Sequence, residues 1–232
     1  MLLRWHEKRG LRTVFGIVPL LCLAVAGCGW HGGPLIWPGL EPLEETNQAR
    51  LPGTPDDPYP ERLNVVTGEQ SDYEWAHARG WIRAPVGEVW RALQDPEVLV
   101  DRRRVDEWEV EEDDEHQVPV SFMMHHTVRD VITLRFSQLW RQAHVLGDFE
   151  SPETVWIRGD LHTPNILLSK LRTGVVLETA AGNITEIQMI RHLDAFAAGA
   201  EDAEQYLRDL YETTLARVRG EPLPEWEIER RQ

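Results

Sequence analysis

Cysteine is nearly absent from this chain of 232 residues: there are two, Cys22 and Cys28, both near the amino terminus. The stretch from Gly29 to Gln232 has no thiol, so no disulfide bond and no cysteine-ligated zinc site can form within it. We therefore expect packing to stabilise its fold.

Basic residues are also scarce, with 24 lysines and arginines against 39 aspartates and glutamates and a formal net charge of -15. An acidic surface repels phosphate backbones and has no counterions to release from them. Nucleic acid is therefore excluded as a partner. The hydrophobic content of 42% argues against global disorder and is enough for one domain of ordinary size.

No established catalytic motif is present in the sequence. It has no G-x-S-x-G elbow, no Walker loop, no H-E-x-x-H and no C-x-x-C. The pattern predicts no cofactor, and the chain is more readily explained as a binding protein than as an enzyme.

A long hydrophobic run is missing as well, because the apolar stretch Thr13–Gly27 is about 15 residues long and Pro19 interrupts it. A helix that crosses a bilayer needs about 20 apolar residues. A basic segment precedes the stretch, containing Arg4, Lys8, Arg9 and Arg12. This order predicts a signal peptide over residues 1–27 and not a permanent membrane span.

The end of the apolar run, Leu23-Ala24-Val25-Ala26-Gly27-Cys28, resembles the lipobox of bacterial lipoproteins. The resemblance implies that Cys28 becomes the first mature residue and is acylated, with chains such as palmitate, so that it anchors the protein in the cell envelope. Because Gly29 is not the aspartate of an inner-membrane retention signal, the periplasmic face of the outer membrane is favoured. The alternative is an ordinary secretory signal in which Cys28 has no role.

Prolines are concentrated after this cysteine, with seven between Gly29 and Ser71 and no sustained hydrophobic period among them. This composition predicts a lipid-anchored, proline- and glycine-rich tether over residues 28–71. We expect the folded domain to cover residues 72–220 and an exposed tail to cover 221–232.

Hydrophobic periodicity predicts the elements of this domain. A strand pattern over Glu74–Arg83 is followed by helical spacing from Val86 and a second short helix from Glu97 to about Arg103. A period of two then indicates a series of strands, and Glu201–Arg219 has the three-and-four spacing of a long amphipathic helix. Strands followed by one long helix indicate an α+β fold.

The segment from Gly80 to Pro96, Gly-Trp-Ile-Arg-Ala-Pro-Val-Gly-Glu-Val-Trp-Arg-Ala-Leu-Gln-Asp-Pro, resembles the opening of the START-like, or SRPBCC, superfamily. The turn and strand from Gly182 to Asp194 are similar to its last strand. The resemblance implies a helix-grip fold: a curved antiparallel sheet wrapped around a long carboxy-terminal helix, with two short helices after the first strand. It also implies an apolar cavity, which members of the family use for lipids, sterols and polyketides.

Strand and helix faces indicate which residues point into such a cavity. His126 shares the apolar face of its strand with Phe122 and Met124. His125 points to the other face of the strand, so the two histidines do not form a metal site. The candidate ligand-binding residues are Phe122, Met124, His126, Leu134, Phe136, Trp140, Tyr206, Leu207 and Leu210.

Three functions remain open from the sequence. The first is a membrane-tethered protein that binds or carries a hydrophobic, lipid-like molecule in the cavity. The second is a cyclase or hydrolase that uses His126 as a general base and needs a second polar group in the same cavity. The third is a scaffold with a filled core, whose outer face binds another envelope protein that the sequence does not identify.

Overall fold

The computed structural model of the protein describes residues 37–196 and 198–227; the predicted signal peptide and Cys28 lie outside them. The strands are β1 Leu63–Gln70, β2 Tyr73–Ile82, β3 Glu107–Glu112, β4 Val120–Arg129, β5 Thr133–Gly147, β6 Pro152–Leu161, β7 Leu168–Ala181 and β8 Ile184–Ala195. The helices are α1 Val86–Leu93, α2 Pro96–Leu99 and α3 Ala200–Arg219. Within these residues no helix is both long and apolar enough to cross a membrane.

All eight strands form one antiparallel sheet in the order β1-β2-β8-β7-β6-β5-β4-β3. The period of two explains how they are buried. In β4, for example, Phe122, Met124 and His126 are buried while the residues between them are partly exposed. β4 thus presents one apolar face to the core, as its sequence pattern predicted.

The long helix α3 packs against β1, β2 and β8 and against the short helix α1. Its residues Ala203, Leu207 and Leu210 are buried in the core together with residues from β2 and β4 to β8. Gly220 ends the helix in the left-handed conformation, with φ 67°, which glycine adopts without a steric penalty. The predicted α+β fold, a curved sheet around a long carboxy-terminal helix, is confirmed.

The prediction of a tether that extends to residue 71 is wrong for the part of it that is described. Residues 63–70 form β1, which pairs with β2 along its whole length. All described residues belong to one compact unit. Since β1 precedes the strand predicted to be first, the two short helices follow the second strand, and α2 is shorter than its predicted span.

Residues 37–60, here called the amino-terminal strap, lie against the outer face of the sheet. The Trp37 indole donates to the carbonyl of His144 (3.1 Å), and the Asn47 side chain donates to the carbonyls of Ala78 (3.0 Å) and Met189 (3.1 Å). Leu40 and Ala49 are buried. The strap had no hydrophobic period because it is attached by scattered side chain to backbone contacts, which leave no repeating pattern in a sequence.

The predicted exposed tail is described as far as residue 227. Most of it is exposed, but Leu223 packs against the core and the Arg103 guanidinium lies 4.9 Å from the centre of the Trp226 ring.

Candidate functional site

A cavity of about 350 Å³ opens at one end of the fold, beside the first turns of α3. Its walls come from β4, β5, β7 and β8, from the start of α3, and from the chain after α2. The volume is in the range of small-molecule sites, which is roughly 300 to 1,000 Å³.

The cavity exists because the sheet is strongly curved. Three strands, β7, β6 and β5, separate β8 from β4. In a flat sheet, four steps of about 4.8 Å would place β8 and β4 about 19 Å apart. Arg191 of β8 and His126 of β4 nevertheless line the same cavity, and the positive charge of Arg191 contributes to lowering the pKa of His126.

Most of the wall is apolar. Leu168, Leu171 and Leu193 form a small buried cluster separate from the main core, with Leu134 and Phe136 packed against it. At the mouth, which we call the apolar rim, Val131 is 85% exposed, Ile132 56% and Phe196 74%. Exposed apolar side chains around a cavity are typical of a surface that meets a ligand or a membrane.

Three buried polar side chains also line the cavity; we call them the polar floor. They are His126 of β4, Gln138 of β5 and Arg191 of β8, whose exposed fractions are 3%, 4% and 6%. Among residues 37–196 and 198–227, no hydrogen-bond partner is found for either ring nitrogen of His126, for the Nε2 of Gln138 or for the Nε of Arg191. Because buried polar atoms are nearly always paired in proteins, a group of unpaired ones facing one cavity is typical of a site that binds a ligand or ordered water.

Arg191 is held in place on one side only. Its Nη1 donates to Thr173 Oγ1 (3.2 Å), and its guanidinium lies 3.5 Å from the centre of the Tyr206 ring. The distance from Nη2 to Asp101 Oδ2 is 3.8 Å, which is longer than a hydrogen bond. Burial raises the pKa of Asp101, opposed by the attraction of Arg191. Nε thus has no hydrogen-bond partner among the described residues, and Nη2 has the Asp101 carboxylate as an ion-pair partner beyond hydrogen-bond distance.

His126 is an uncharged imidazole near neutral pH. Burial, with the charges of Arg191 and His125 acting in the same direction, lowers its pKa to about 4. Its ring stacks on Phe136, with 4.8 Å between the ring centroids. A base with so low a pKa takes up a proton weakly at pH 7.

The structure places four of the nine predicted ligand-binding residues in the cavity: His126, Leu134, Phe136 and Tyr206. The Tyr206 hydroxyl donates to the carbonyl of Leu99 (3.0 Å), and burial raises its pKa to about 12. The other five do not line it; they are Phe122, Met124, Trp140, Leu207 and Leu210, and all are buried in the main core.

The expectation that these five residues line the cavity is wrong. Hydrophobic periodicity shows which face of a strand or helix a residue lies on, but not whether that part of the face borders a cavity or packed side chains. Their end of the fold is filled by Trp90 of α1 and by Val98 and Leu99 of α2. Trp90 is held there by a 2.9 Å hydrogen bond from its indole to Gln142 Oε1.

Sequence analysis missed Gln138, Arg191 and Asp101. A signal for two of them was present: Arg191 alternates with Met189 and Leu193 on the buried face of β8, and Gln138 occupies the same place between Phe136 and Trp140 in β5. A polar residue at a buried strand position marks either a paired core group or a site.

A second polar cluster, here called the outer cluster, lies under the strap on the opposite face of the sheet. It consists of Glu44, His77 and His192, whose ligand-type atoms are all within 4.8 Å of one another. His192 Nε2 is 2.9 Å from Glu44 Oε1, and His77 Nε2 is 3.5 Å from Glu44 Oε2.

This geometry meets the distance requirement of a metal site, but the protonation of His77 opposes one. The backbone N–H of Gln48 donates to His77 Nδ1 (3.1 Å), so the neutral ring carries its proton on Nε2, the nitrogen that faces Glu44. A ligating nitrogen must be unprotonated. In this tautomer the outer cluster is therefore a contact between two imidazole N–H groups and one carboxylate, which attaches the strap to the sheet.

No family model matches this sequence, and no curated protein matches it. Among solved structures, the chain is similar to the lipid transfer and protein localization domain of human StarD13, with 15% identity, a TM-score of 0.45, and coverage of 70% of this chain and 85% of that one. It is similar to human STARD10 with 12% identity, a TM-score of 0.47, and coverage of 72% and 81%. Its similarity to the Zhui aromatase/cyclase of a Streptomyces species has 14% identity, a TM-score of 0.37, and coverage of 68% and 93%. At these values the matches identify neither a ligand nor an activity for this chain.

Proposed function

We propose that this protein binds a hydrophobic, lipid-like molecule in its cavity and holds or carries it without chemical change. The observation that supports this most directly is an apolar cavity of about 350 Å³ with three buried polar side chains that have unpaired atoms. Apolar walls with a few convergent polar groups are the usual composition of a ligand site.

We also propose that the protein is a lipoprotein of the cell envelope, anchored through acylated Cys28. The support is the resemblance of residues 23–28 to a lipobox. Since the strap packs from Trp37 onward, the segment left to act as a tether is residues 28–36. A negatively charged body is repelled by anionic headgroups, so the acyl chains supply the attachment.

The enzyme hypothesis keeps one point in its favour. The second polar group that it requires is present, since Gln138 and Arg191 line the cavity with His126, and no backbone group encloses the imidazole. The pKa of about 4 makes His126 a weak base, however, so binding accounts better for this site. The scaffold hypothesis, which needs a filled core, is disfavoured by the volume of the cavity.

The test is the variant Phe136→Arg, which puts a charge on the cavity wall. The matched control is Phe149→Arg, which changes an aromatic residue that is 47% exposed and lies outside the cavity. Uptake of envelope lipids by the full chain should be lost in the first variant and kept in the second. Equal uptake by both variants would contradict the proposal.

A further inference from the structure

We propose that the ligand carries a carboxylate, which the polar floor binds through the Nε and Nη2 edge of Arg191. This inference rests on the proposed function, because it specifies the chemistry of the molecule that occupies the same cavity.

The first argument is the balance of donors and acceptors in the polar floor. The free atom of Arg191 is an N–H donor, Gln138 Nε2 carries two N–H donors, and neutral His126 contributes one donor and one acceptor. Most of these unpaired protein atoms are donors, so a ligand group with several acceptor atoms gives more of them a partner. An alcohol matches them less well, because its hydroxyl is itself a donor as well as an acceptor. An ionised carboxylate is acceptor-only, with two oxygens, and fits this need best.

The second argument is the geometry of Arg191. Nη1 donates to Thr173 and the guanidinium lies over the Tyr206 ring, whereas Nε has no hydrogen-bond partner among the described residues. Two parallel N–H groups on one guanidinium edge match the two oxygens of a carboxylate, and such charge-assisted pairs are stronger than neutral hydrogen bonds.

The third argument concerns the charges around this edge. Arg104 and Asp202, which also line the cavity, form a close ion pair with each other, and Asp130 is exposed at the mouth. Asp101 forms an ion pair with Arg191, and at 3.8 Å it attracts Arg191 without filling its hydrogen bonds. A ligand carboxylate competes with Asp101 for the same cation, so Asp101 sets how tightly the acid is bound.

The shape of the cavity gives such a ligand an orientation. His126, Gln138 and Arg191 are each less than one-tenth exposed, whereas the apolar rim is largely exposed. The carboxylate thus lies at the inner end and the hydrocarbon chain runs along Leu134, Phe136 and Leu168 toward the mouth. The charged group of the ligand is thus buried and the end of its hydrocarbon chain is nearest to the solvent.

The experiment compares three probes with the same twelve-carbon chain: dodecanoate, its methyl ester and dodecanol. Calorimetric titration of the full chain, first stripped of bound lipid, should show that the acid binds at least tenfold more tightly than the ester or the alcohol. Equal affinity for all three would overturn the carboxylate inference while leaving the proposed function intact. Failure of all three to bind would overturn both.

Two variants test the residues themselves. Arg191→Met should reduce the preference for the acid to less than threefold without changing the affinity for the ester. Asp101→Asn removes the competing carboxylate and should tighten binding of the acid severalfold, again without changing the ester. The matched control is Arg79→Met, which removes an arginine that pairs with Glu186 and does not line the cavity.

Thermal unfolding of each variant shows whether Arg191→Met is folded. If it is not, Asp101→Asn and the three-probe series on the unaltered chain still decide the question. An Asp101→Asn variant that binds acid and ester with unchanged ratios would contradict the role given to Arg191.

Discussion

At the residue scale, the distinctive feature of the cavity is that three buried polar side chains with unpaired nitrogen atoms line it together. His126, Gln138 and Arg191 are as buried as the leucines beside them, yet atoms of each lack a hydrogen-bond partner among the described residues. Leaving a buried polar group unpaired costs on the order of 1 to 3 kcal/mol. The protein retains these groups at a cost to its stability, which a function in ligand binding explains.

The buried imidazole of His126 predicts a pH dependence of stability. Its pKa is about 4 in the folded protein and about 6.5 when unfolded, so the unfolded chain takes up a proton first as the pH falls. This difference in pKa contributes on the order of 3 kcal/mol to the unfolding free energy. The contribution is fully present above pH 6.5 and is lost progressively as the pH falls toward 4.

His126→Phe should therefore flatten the fall in unfolding free energy between pH 7 and pH 5, as measured by urea denaturation. It should also raise stability at pH 7, because an unpaired buried imidazole is removed. His162→Gln, which removes an exposed imidazole, is the control. An unchanged slope in His126→Phe would show that this residue is not neutral and buried in solution.

Glycine at position 159 is a second residue whose replacement has a definite expected result. A Cβ atom added there would lie 2.8 Å from the ring of Trp140, which is fully buried and cannot move aside. Gly159→Ala should lower the unfolding free energy by about 1 to 3 kcal/mol.

The matched variant is Gly87→Ala in α1, where the added Cβ meets Pro152 at an ordinary 3.4 Å. Alanine is the better helix former, so this change should be neutral or slightly stabilising. Chemical denaturation of both variants gives the comparison, and a neutral Gly159→Ala would mean that Trp140 packs differently.

At the element scale, the strap shows where sequence patterns lose information. Strands β2, β4 and β8 and helices α1 and α3 could be predicted because each has a hydrophobic period that one face of the element imposes. The strap has no such period, since Trp37 attaches it through one hydrogen bond and Asn47 through two. β1 is an edge strand whose residues are partly or fully exposed, so its pattern was too weak to separate it from a linker.

The outer cluster should account for much of the attachment of the strap. Burial lowers the pKa of His77 and His192, opposed by the attraction of Glu44, and the carboxylate accepts a hydrogen bond from His192. Glu44→Ala leaves this buried N–H group without an acceptor, which should lower the unfolding free energy by about 1 to 3 kcal/mol.

The same variant should expose the strap to proteolysis. Limited digestion is expected to cut residues 37–60 faster in Glu44→Ala than in the unaltered protein. The control is Glu45→Ala, which changes an exposed neighbour and should alter neither the unfolding free energy nor the rate of cleavage. Equal cleavage rates would mean that Trp37 and Asn47 hold the strap without the outer cluster.

At the scale of the whole molecule, the curvature of the sheet decides what the residues can do. Sequence could assign Phe136 and Phe122 to the inner face, but which of them meets open space depends on how far α1 and α2 extend over the sheet. Likewise, the approach of Arg191 to His126 results from a bend across five strands. No local pattern in the sequence indicates that two residues so far apart in the sheet line the same cavity.

The apolar rim predicts how the cavity is loaded. Val131, Ile132 and Phe196 are exposed at the mouth, so a ligand passing to or from a bilayer meets apolar side chains first. Changing all three to serine should slow transfer of a fluorescent lipid from zwitterionic vesicles by tenfold or more, with a smaller effect on affinity.

The control for the rim is Val110→Ser, because Val110 is an exposed valine of β3 that does not line the cavity. Stopped-flow transfer rates give the comparison. Equal rates in the rim variant and the control would show that the ligand enters elsewhere.

The central claim is that the cavity is a ligand site, and native mass spectrometry of the full chain, followed by organic extraction, tests it most directly. We expect a stoichiometric apolar molecule on the folded protein, recovered in the extract and absent from Phe136→Arg. A mass equal to that of the protein alone, unchanged after incubation with envelope lipids, would contradict the account.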